Sequence, residues 1–228
     1  MSFLQTIGKS IPLRKGLLRQ VQNSIYPYPY TSSMVKYKYV FVHIPKSGGT
    51  SMLRALKAPT RRNHAPWEIY KEANRFYFDD FFKFTIVRHP VTRIYSAYNY
   101  ILNGGNGRPA DLEFSHHLQI TSPTFESFIL DYLTPSSVFK HNLFRPQVFF
   151  VCNYFDEIVV DHVCKLEHIE DEIIAVFKNL NIPSPENFPH ANNTYHSEET
   201  PDFSEEIKSA IYELYHSDFR VFGYEISV

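Results

Sequence analysis

Tyr39-Val-Phe-Val-His-Ile-Pro-Lys-Ser-Gly-Gly-Thr-Ser51 decides how this chain folds around a ligand. A β-branched and aromatic run stops at Pro45, Lys46 and two glycines follow, and Thr50 and Ser51 open a helical pattern. Strand, tight loop and helix start in that order make an anion cradle. Backbone N–H groups and the helix dipole point at one spot, and glycine lets the backbone approach it. A nucleotide-hydrolysing P-loop reads G-x-x-x-x-G-K-[ST], with lysine after the glycines and a magnesium-binding hydroxyl next. Here Lys46 comes before Gly48 and Gly49. The loop reads as a holder of a phosphate-like group rather than of magnesium–ATP.

The surroundings of this loop are basic. Residues 1–67 contain eleven Lys and Arg and no Asp or Glu, while the remainder holds all 24 acids and brings the net charge to -1. A basic half around an anion loop suits a polyanionic ligand. For residues 1–25 an equally weighted alternative is a basic amphipathic helix lying on a membrane surface or on the acidic half of the protein. Tyr26-Pro-Tyr-Pro-Tyr30 cannot be helical and reads as an extended linker or packing strap. The chain therefore divides into a basic segment and linker, 1–30, and a single domain, 31–228. Its 228 residues suffice for one α/β domain with a single core. A hydrophobic content of 43%, with 20 Phe and 16 Tyr, argues against disorder. No apolar run approaches the roughly 20 residues that span a bilayer. Pro12, Arg14, Lys15 and Arg19 break any signal-peptide pattern. Two cysteines, Cys152 and Cys164, are too few for a disulfide framework, and a reduced cytoplasmic protein is the simpler expectation.

Periodicity places strands at 37–43, 82–87, 157–160 and 164–166, and helices at 51–56, 67–75, 90–102, 124–133, 170–179 and 204–215. Pro90 takes a helix N1 position and Thr124 an N-cap. Asn103-Gly-Gly-Asn-Gly-Arg-Pro109 is expected to be a mobile loop. Strands alternating with helices imply a parallel, doubly wound sheet flanked by helices, the α/β class to which P-loop nucleotide-binding folds belong.

Phe84-Thr-Ile-Val-Arg-His-Pro-Val-Thr-Arg-Ile-Tyr-Ser-Ala-Tyr98 is a second strand–loop–helix unit. In magnesium-dependent NTPases a core strand commonly ends in an acid that helps hold the metal. This one ends in Arg88, whose rigid fork suits two phosphate oxygens, so the expectation is an anion site without a metal. Ser96, about two helical turns past Pro90, offers another hydroxyl donor on the same side. Two such anion sites suit a nucleotide phosphorylated at both ends of its ribose.

Pro45-Lys-Ser-Gly-Gly-Thr-Ser51 together with Val87-Arg-His-Pro-Val-Thr-Arg-Ile-Tyr-Ser-Ala-Tyr98 resembles the 5′-phosphosulfate and 3′-phosphate loops of sulfotransferases that use 3′-phosphoadenosine 5′-phosphosulfate (PAPS). The similarity is to the carbohydrate branch, which includes heparan sulfate 2-O- and 6-O-sulfotransferases and soluble bacterial relatives. Asn63-His-Ala-Pro-Trp-Glu-Ile69, Phe81-Phe-Lys-Phe84, His141-Asn-Leu-Phe-Arg-Pro-Gln147, Lys165-Leu-Glu167 and Asp218-Phe-Arg-Val-Phe-Gly-Tyr224 extend it. Two departures stand out: animal members carry a membrane anchor and disulfides, and His89 stands where an acid or Asn often follows the arginine.

The resemblance implies in-line sulfuryl transfer from PAPS to a carbohydrate hydroxyl, on a polysaccharide or glycolipid of anionic character, releasing 3′,5′-ADP. Lys46 would meet the leaving oxygen, and the amides of Ser47, Gly48, Gly49, Thr50 and Ser51, with the last two hydroxyls, would hold the 5′ end. Arg88 and Ser96 would hold the 3′-phosphate. His64, which matches the histidine segment, is the first choice of base and His141 its rival, histidine being the side chain that titrates near neutral pH. Arg93 reads as a structural salt bridge. Arg61, Arg62 and Arg108 line an acceptor cleft or form a solvated basic face. Among His162, Cys164 and His168, strand spacing only puts two on one face, so no metal site is expected. Asn192-Asn-Thr194 is a glycosylation sequon, meaningful only in a secreted chain. Nucleic acid is not an expected partner. Two competing classes are a P-loop kinase and a non-catalytic binder of sulfated or phosphorylated polymers. The first would call for a lysine after the glycines and an acidic metal ligand, neither of which the chain shows, and the second does not require Lys46 beside a glycine turn plus His64.

Overall fold

The computed structural model describes residues 26–59, 63–189 and 201–226. Strands β1 (Tyr39–Val42), β2 (Phe82–Val87) and β3 (His162–Lys165) form a parallel sheet in the order β1-β2-β3. Phe41 faces Phe84 across the first pairing, and Phe84 faces His162 across the second. β1 is buried at every residue, as a parallel strand covered on both faces must be. Among the described residues the strand order never reverses, so the doubly wound part of the expectation is not seen there. The stretch 157–160 also differs from expectation: it contributes one isolated antiparallel bridge, Ile158 to Cys152, rather than a strand.

Helices α1 (Ser32–Tyr37), α2 (Gly49–Ala55), α3 (Trp67–Ala73) and α4 (Arg75–Asp80) surround the first two strands. Asn74 splits the expected single helix 67–75: it ends α3 and caps α4 by accepting from the Tyr77 amide at 3.0 Å. Helix α5 (Pro90–Leu102) starts at Pro90 as read from sequence. Helix α6 (Pro109–Thr121) was not legible, because only Ser115 and Leu118 of it are buried and no apolar stripe forms. Thr124 caps a short helical turn, α7 (Phe125–Ser127), that runs on as a π-helix through Tyr132. Three α-helices follow among the described residues: α8 (Val148–Val151), α9 (Ile169–Asn179) and α10 (Glu205–Phe222). The last continues seven residues beyond its expected end through a kink at Tyr215.

Two apolar cores result. One joins the sheet to α9 through Phe41, Phe84, Cys164, Ile173 and Phe177. The other is all-helical, with Ile94, Tyr98, Leu118, Phe128 and Phe219 at its centre. The loops after β1 and β2 lie where the cores meet, at the carboxyl ends of parallel strands, the usual place for a ligand in an α/β sheet. Tyr30 ties down the 26–30 run: it is buried, and its hydroxyl lies 3.0 Å from the Tyr70 carbonyl and 3.2 Å from that of Asn74. That run makes a turn rather than an extended link, closed by the Tyr30 amide on the Pro27 carbonyl at 2.8 Å. Residues 1–25, with the amphipathic helix expected there, lie outside the described residues. No described helix is long and apolar enough to cross a membrane.

Candidate active site

The first loop runs from His43 to Gly49, and its two glycines are needed for different reasons. Gly48 has φ 78°, in the left-handed region that side chains resist. Gly49 has ordinary dihedrals but no room: a Cβ there would lie 2.0 Å from the His43 ring. Lys46 also adopts a positive φ, 65°, a conformation that costs an ordinary residue about 1–2 kcal/mol. Such strain persists only where neighbours hold it. Here the Lys46 ammonium lies over the Tyr100 ring at 4.2 Å, and the Arg88 Nη1 donates to the Lys46 carbonyl at 3.5 Å. Helix α2 is only seven residues long, so the loop amides rather than a long macrodipole make the cradle.

The second loop is built around one side chain. Arg88 donates through Nε to Thr92 at 3.0 Å and through Nη1 to Lys46, and among the described residues its Nη2 takes no protein partner. Burial lowers its pKa, and the nearby Glu167 opposes that, so the guanidinium is desolvated but not neutralised. Thr92, Ser96 and Tyr100 follow at i, i+4 spacing on α5 and share one face. Thr92 touches Arg88 and Tyr100 touches Lys46, which places half-buried Ser96 between the two cations.

What joins the loops was not read from sequence. Gln147 is fully buried; its Oε1 accepts from the Arg88 amide at 2.9 Å and the Ser47 hydroxyl at 3.3 Å. Its Nε2 donates back to the Arg88 carbonyl at 2.8 Å. Asp218 fixes Gln147 in turn, accepting from the amides of Gln147 and Val148 at 2.9 and 3.0 Å. Arg93 is wholly buried, donates to the carbonyls of Leu143 and Arg145, and lies 3.9 Å from Asp218, so the structural reading of Arg93 is right. Burial pushes the Asp218 carboxyl up and the Arg93 guanidinium down, while their mutual attraction opposes both. The Ser47 hydroxyl is therefore spent inside the protein, leaving its amide for a ligand.

Glu167 braces the loop at His89. It accepts from the His89 amide at 2.7 Å and from the Tyr224 hydroxyl at 3.0 Å. The His89 ring is buried, with Nε2 2.9 Å from the Glu225 carbonyl and Nδ1 without a partner; burial lowers its pKa. Leu166, just before Glu167, packs beneath Gly48. A signal for these residues existed: Gln147, Glu167 and Asp218 all fall in segments that carry the family resemblance.

His64 reaches the first loop from outside it. Its Nδ1 lies 3.0 Å from the His43 carbonyl, and the two rings are 4.4 Å apart. If Nδ1 donates to that carbonyl, as a carbonyl partner requires, Nε2 carries the lone pair. His141 instead sits beside Phe114, its Nδ1 accepting from the Leu143 amide at 3.3 Å and its pKa lowered by burial. Arg108 is exposed, and Arg61, Arg62 and the sequon at 192–194 lie outside the described residues. The 103–109 stretch is a series of hydrogen-bonded turns rather than a loose loop, with the Asn106 amide held by Asp111 at 2.9 Å. Both cysteines are free and buried, and burial pushes each thiol up to about 12.

A glycine turn, a lysine beside it and an arginine docked on that lysine's carbonyl thus lie together at the ends of β1 and β2. The model of the sulfotransferase family matches residues 34–225, and the chain belongs to that family. Sulfuryl transfer is accordingly its general chemistry. Neither a curated protein nor a solved structure gives a significant match.

Proposed function

We propose that the protein transfers a sulfuryl group from PAPS to a hydroxyl of an anionic carbohydrate acceptor. The observation that carries this is the docking of Arg88 on the Lys46 carbonyl, which fixes the arginine of the second loop against the backbone of the first while the Lys46 ammonium lies over Tyr100. The two cations suit the two ends of a nucleotide that bears a 5′-phosphosulfate and a 3′-phosphate. The loop amides from Ser47 to Ser51 hold the 5′ end, and Arg88 with Ser96 holds the 3′-phosphate. In the reaction the bond from sulfur to the 5′-phosphate oxygen breaks and a bond from sulfur to the acceptor oxygen forms. Lys46 neutralises charge on the departing oxygen, and His64 Nε2 takes the acceptor proton. Positioning and charge stabilisation supply most of such a rate enhancement. The carbohydrate reading draws its support from the basic half that surrounds the first loop.

A melting curve is the first test. Stabilisation by 3′,5′-ADP but not by Mg-ATP supports the reading, and the reverse sinks it. Incubation with PAPS and a panel of anionic glycans, scored by 3′,5′-ADP release, then tests the acceptor class. For the base, His64→Ala should keep nucleotide affinity and lose turnover by about 10²–10⁴. Unchanged turnover removes His64 from the mechanism.

A further inference from the structure

Sequence spacing alone made His162, Cys164 and His168 unremarkable, and the fold changes which residues keep company. His168 drops out, at the N-cap of α9. His162 and Cys164, two apart on β3, share a face of the sheet. Glu172 comes down onto them from the first turn of α9. One donor atom from each of the three lies within 4.8 Å of the other two. Cys164 is fully buried and the other two are half-buried. The His162 Nε2 is shut off from solvent and has no hydrogen-bond partner. Glu172 is already oriented, its Oε2 accepting from the Lys165 amide at 2.8 Å, with Oε1 left over.

We propose that His162, Cys164 and Glu172 form a binding site for a divalent transition metal of borderline softness, Zn²⁺ being the best fit. The donor types are the reason: imidazole nitrogen, thiolate sulfur and carboxylate oxygen are the set zinc takes, and hard cations such as Mg²⁺ avoid sulfur. Metal–ligand distances of about 2.0–2.3 Å require donors to approach within about 4 Å of one another, so modest side-chain rotation closes the site. Charge favours it too. A thiolate and a carboxylate balance a divalent cation, which makes the cluster neutral, whereas a thiolate buried alone at Cys164 is strongly disfavoured. The orphaned His162 nitrogen gains a partner. Water fills the fourth position from the half-exposed side.

The role follows from where β3 leads. Its carboxyl end continues into Leu166 beneath Gly48 and Glu167 on the His89 amide. A metal linking β3 to α9 thus stiffens the element that braces both anion loops, without touching a substrate.

Co²⁺ titration of the full chain followed by absorbance tests this without an activity assay. The expected result is one bound equivalent with an intense near-ultraviolet thiolate-to-metal band. The protein has only two cysteines, so the source is unambiguous: the band should vanish in Cys164→Ser and persist in Cys152→Ser. Glu172→Gln and His162→Gln should each weaken Co²⁺ binding at least about tenfold. Zn²⁺ should raise the melting temperature of the wild type and a chelator reverse it. If Cys164→Ser fails to fold, the two Gln variants decide. No band at saturating Co²⁺, a band that survives Cys164→Ser, Gln variants that bind like wild type, or a melting temperature indifferent to Zn²⁺ each overturn the site.

Discussion

The two anion loops are built on opposite plans. The first is made of backbone: Gly48 supplies a left-handed turn, Gly49 supplies an absent side chain, and Lys46 is bent into a strained φ between them and the strand. The second is made of one side chain, Arg88, in ordinary backbone. Backbone cradles depend on residues next to each other in the chain. A desolvated guanidinium depends on whatever the fold brings around it, here Thr92, the Lys46 carbonyl and the charge of Glu167. The first loop is therefore locally specified and fragile to the smallest added atom. The second is globally specified and fragile to changes far away.

Lys46→Ala offers the largest separation of the two. With Lys46 on the leaving-group side and the nucleotide held by amides and Arg88, as proposed above, its removal should lower turnover by about 10²–10³ and change 3′,5′-ADP affinity only a few-fold. Equal losses in both would mean that Lys46 serves binding instead. Next comes Gln147→Leu, which strips three partners from both loops at once. An unsatisfied buried polar group costs about 1–3 kcal/mol, so nucleotide affinity and melting temperature should fall together. A variant with wild-type affinity would show the loops to be independent.

Gly49→Ala tests the first plan by itself. Its Cβ meets the His43 ring, which is stacked on Phe41 and packed against His64, so overpacking of about 1–3 kcal/mol is expected. Gly48→Ala should be milder on packing, because it meets the flexible end of Leu166, but it retains the penalty of a positive φ. Calorimetric melting of the pair ranks the two costs.

The smallest effect is on pH dependence and belongs to the second loop. Burial lowers the His89 pKa below its usual 6.5, so as pH falls the unfolded chain takes up the proton first. Its stabilising share is fully present above about 6.5 and declines below that value. Protonation would also leave an N–H at Nδ1 facing no acceptor. His89→Gln should flatten the acid side of a stability profile, and His141, shifted the same way, should keep some slope. An unchanged profile would remove His89 as its source.

Legibility followed range. β2 and α5 match their sequence reading because a short, mostly apolar run and a proline at N1 are local signals. Helix α6 escaped because its buried side is too narrow to leave a periodic trace. The break at Asn74 escaped because one capping side chain, rather than a change in pattern, divides α3 from α4. In the site, Lys46, Gly48, Gly49 and Arg88 were legible, since each stands at the end of a strand beside a turn. His64 was chosen on resemblance, and the fold now gives it a fixed contact with the His43 carbonyl.

From sequence alone came the anion cradle, the arginine where an NTPase keeps an acid, and the family those motifs resemble. These rest on residues within a few positions of one another, where backbone geometry and residue type are enough. Only the tertiary structure decided that Gln147 ties the loops together, that Glu167 holds the His89 amide, and that Glu172 comes close to His162 and Cys164. A buried polar group must find its partner wherever the fold brings one, and no local pattern records that choice.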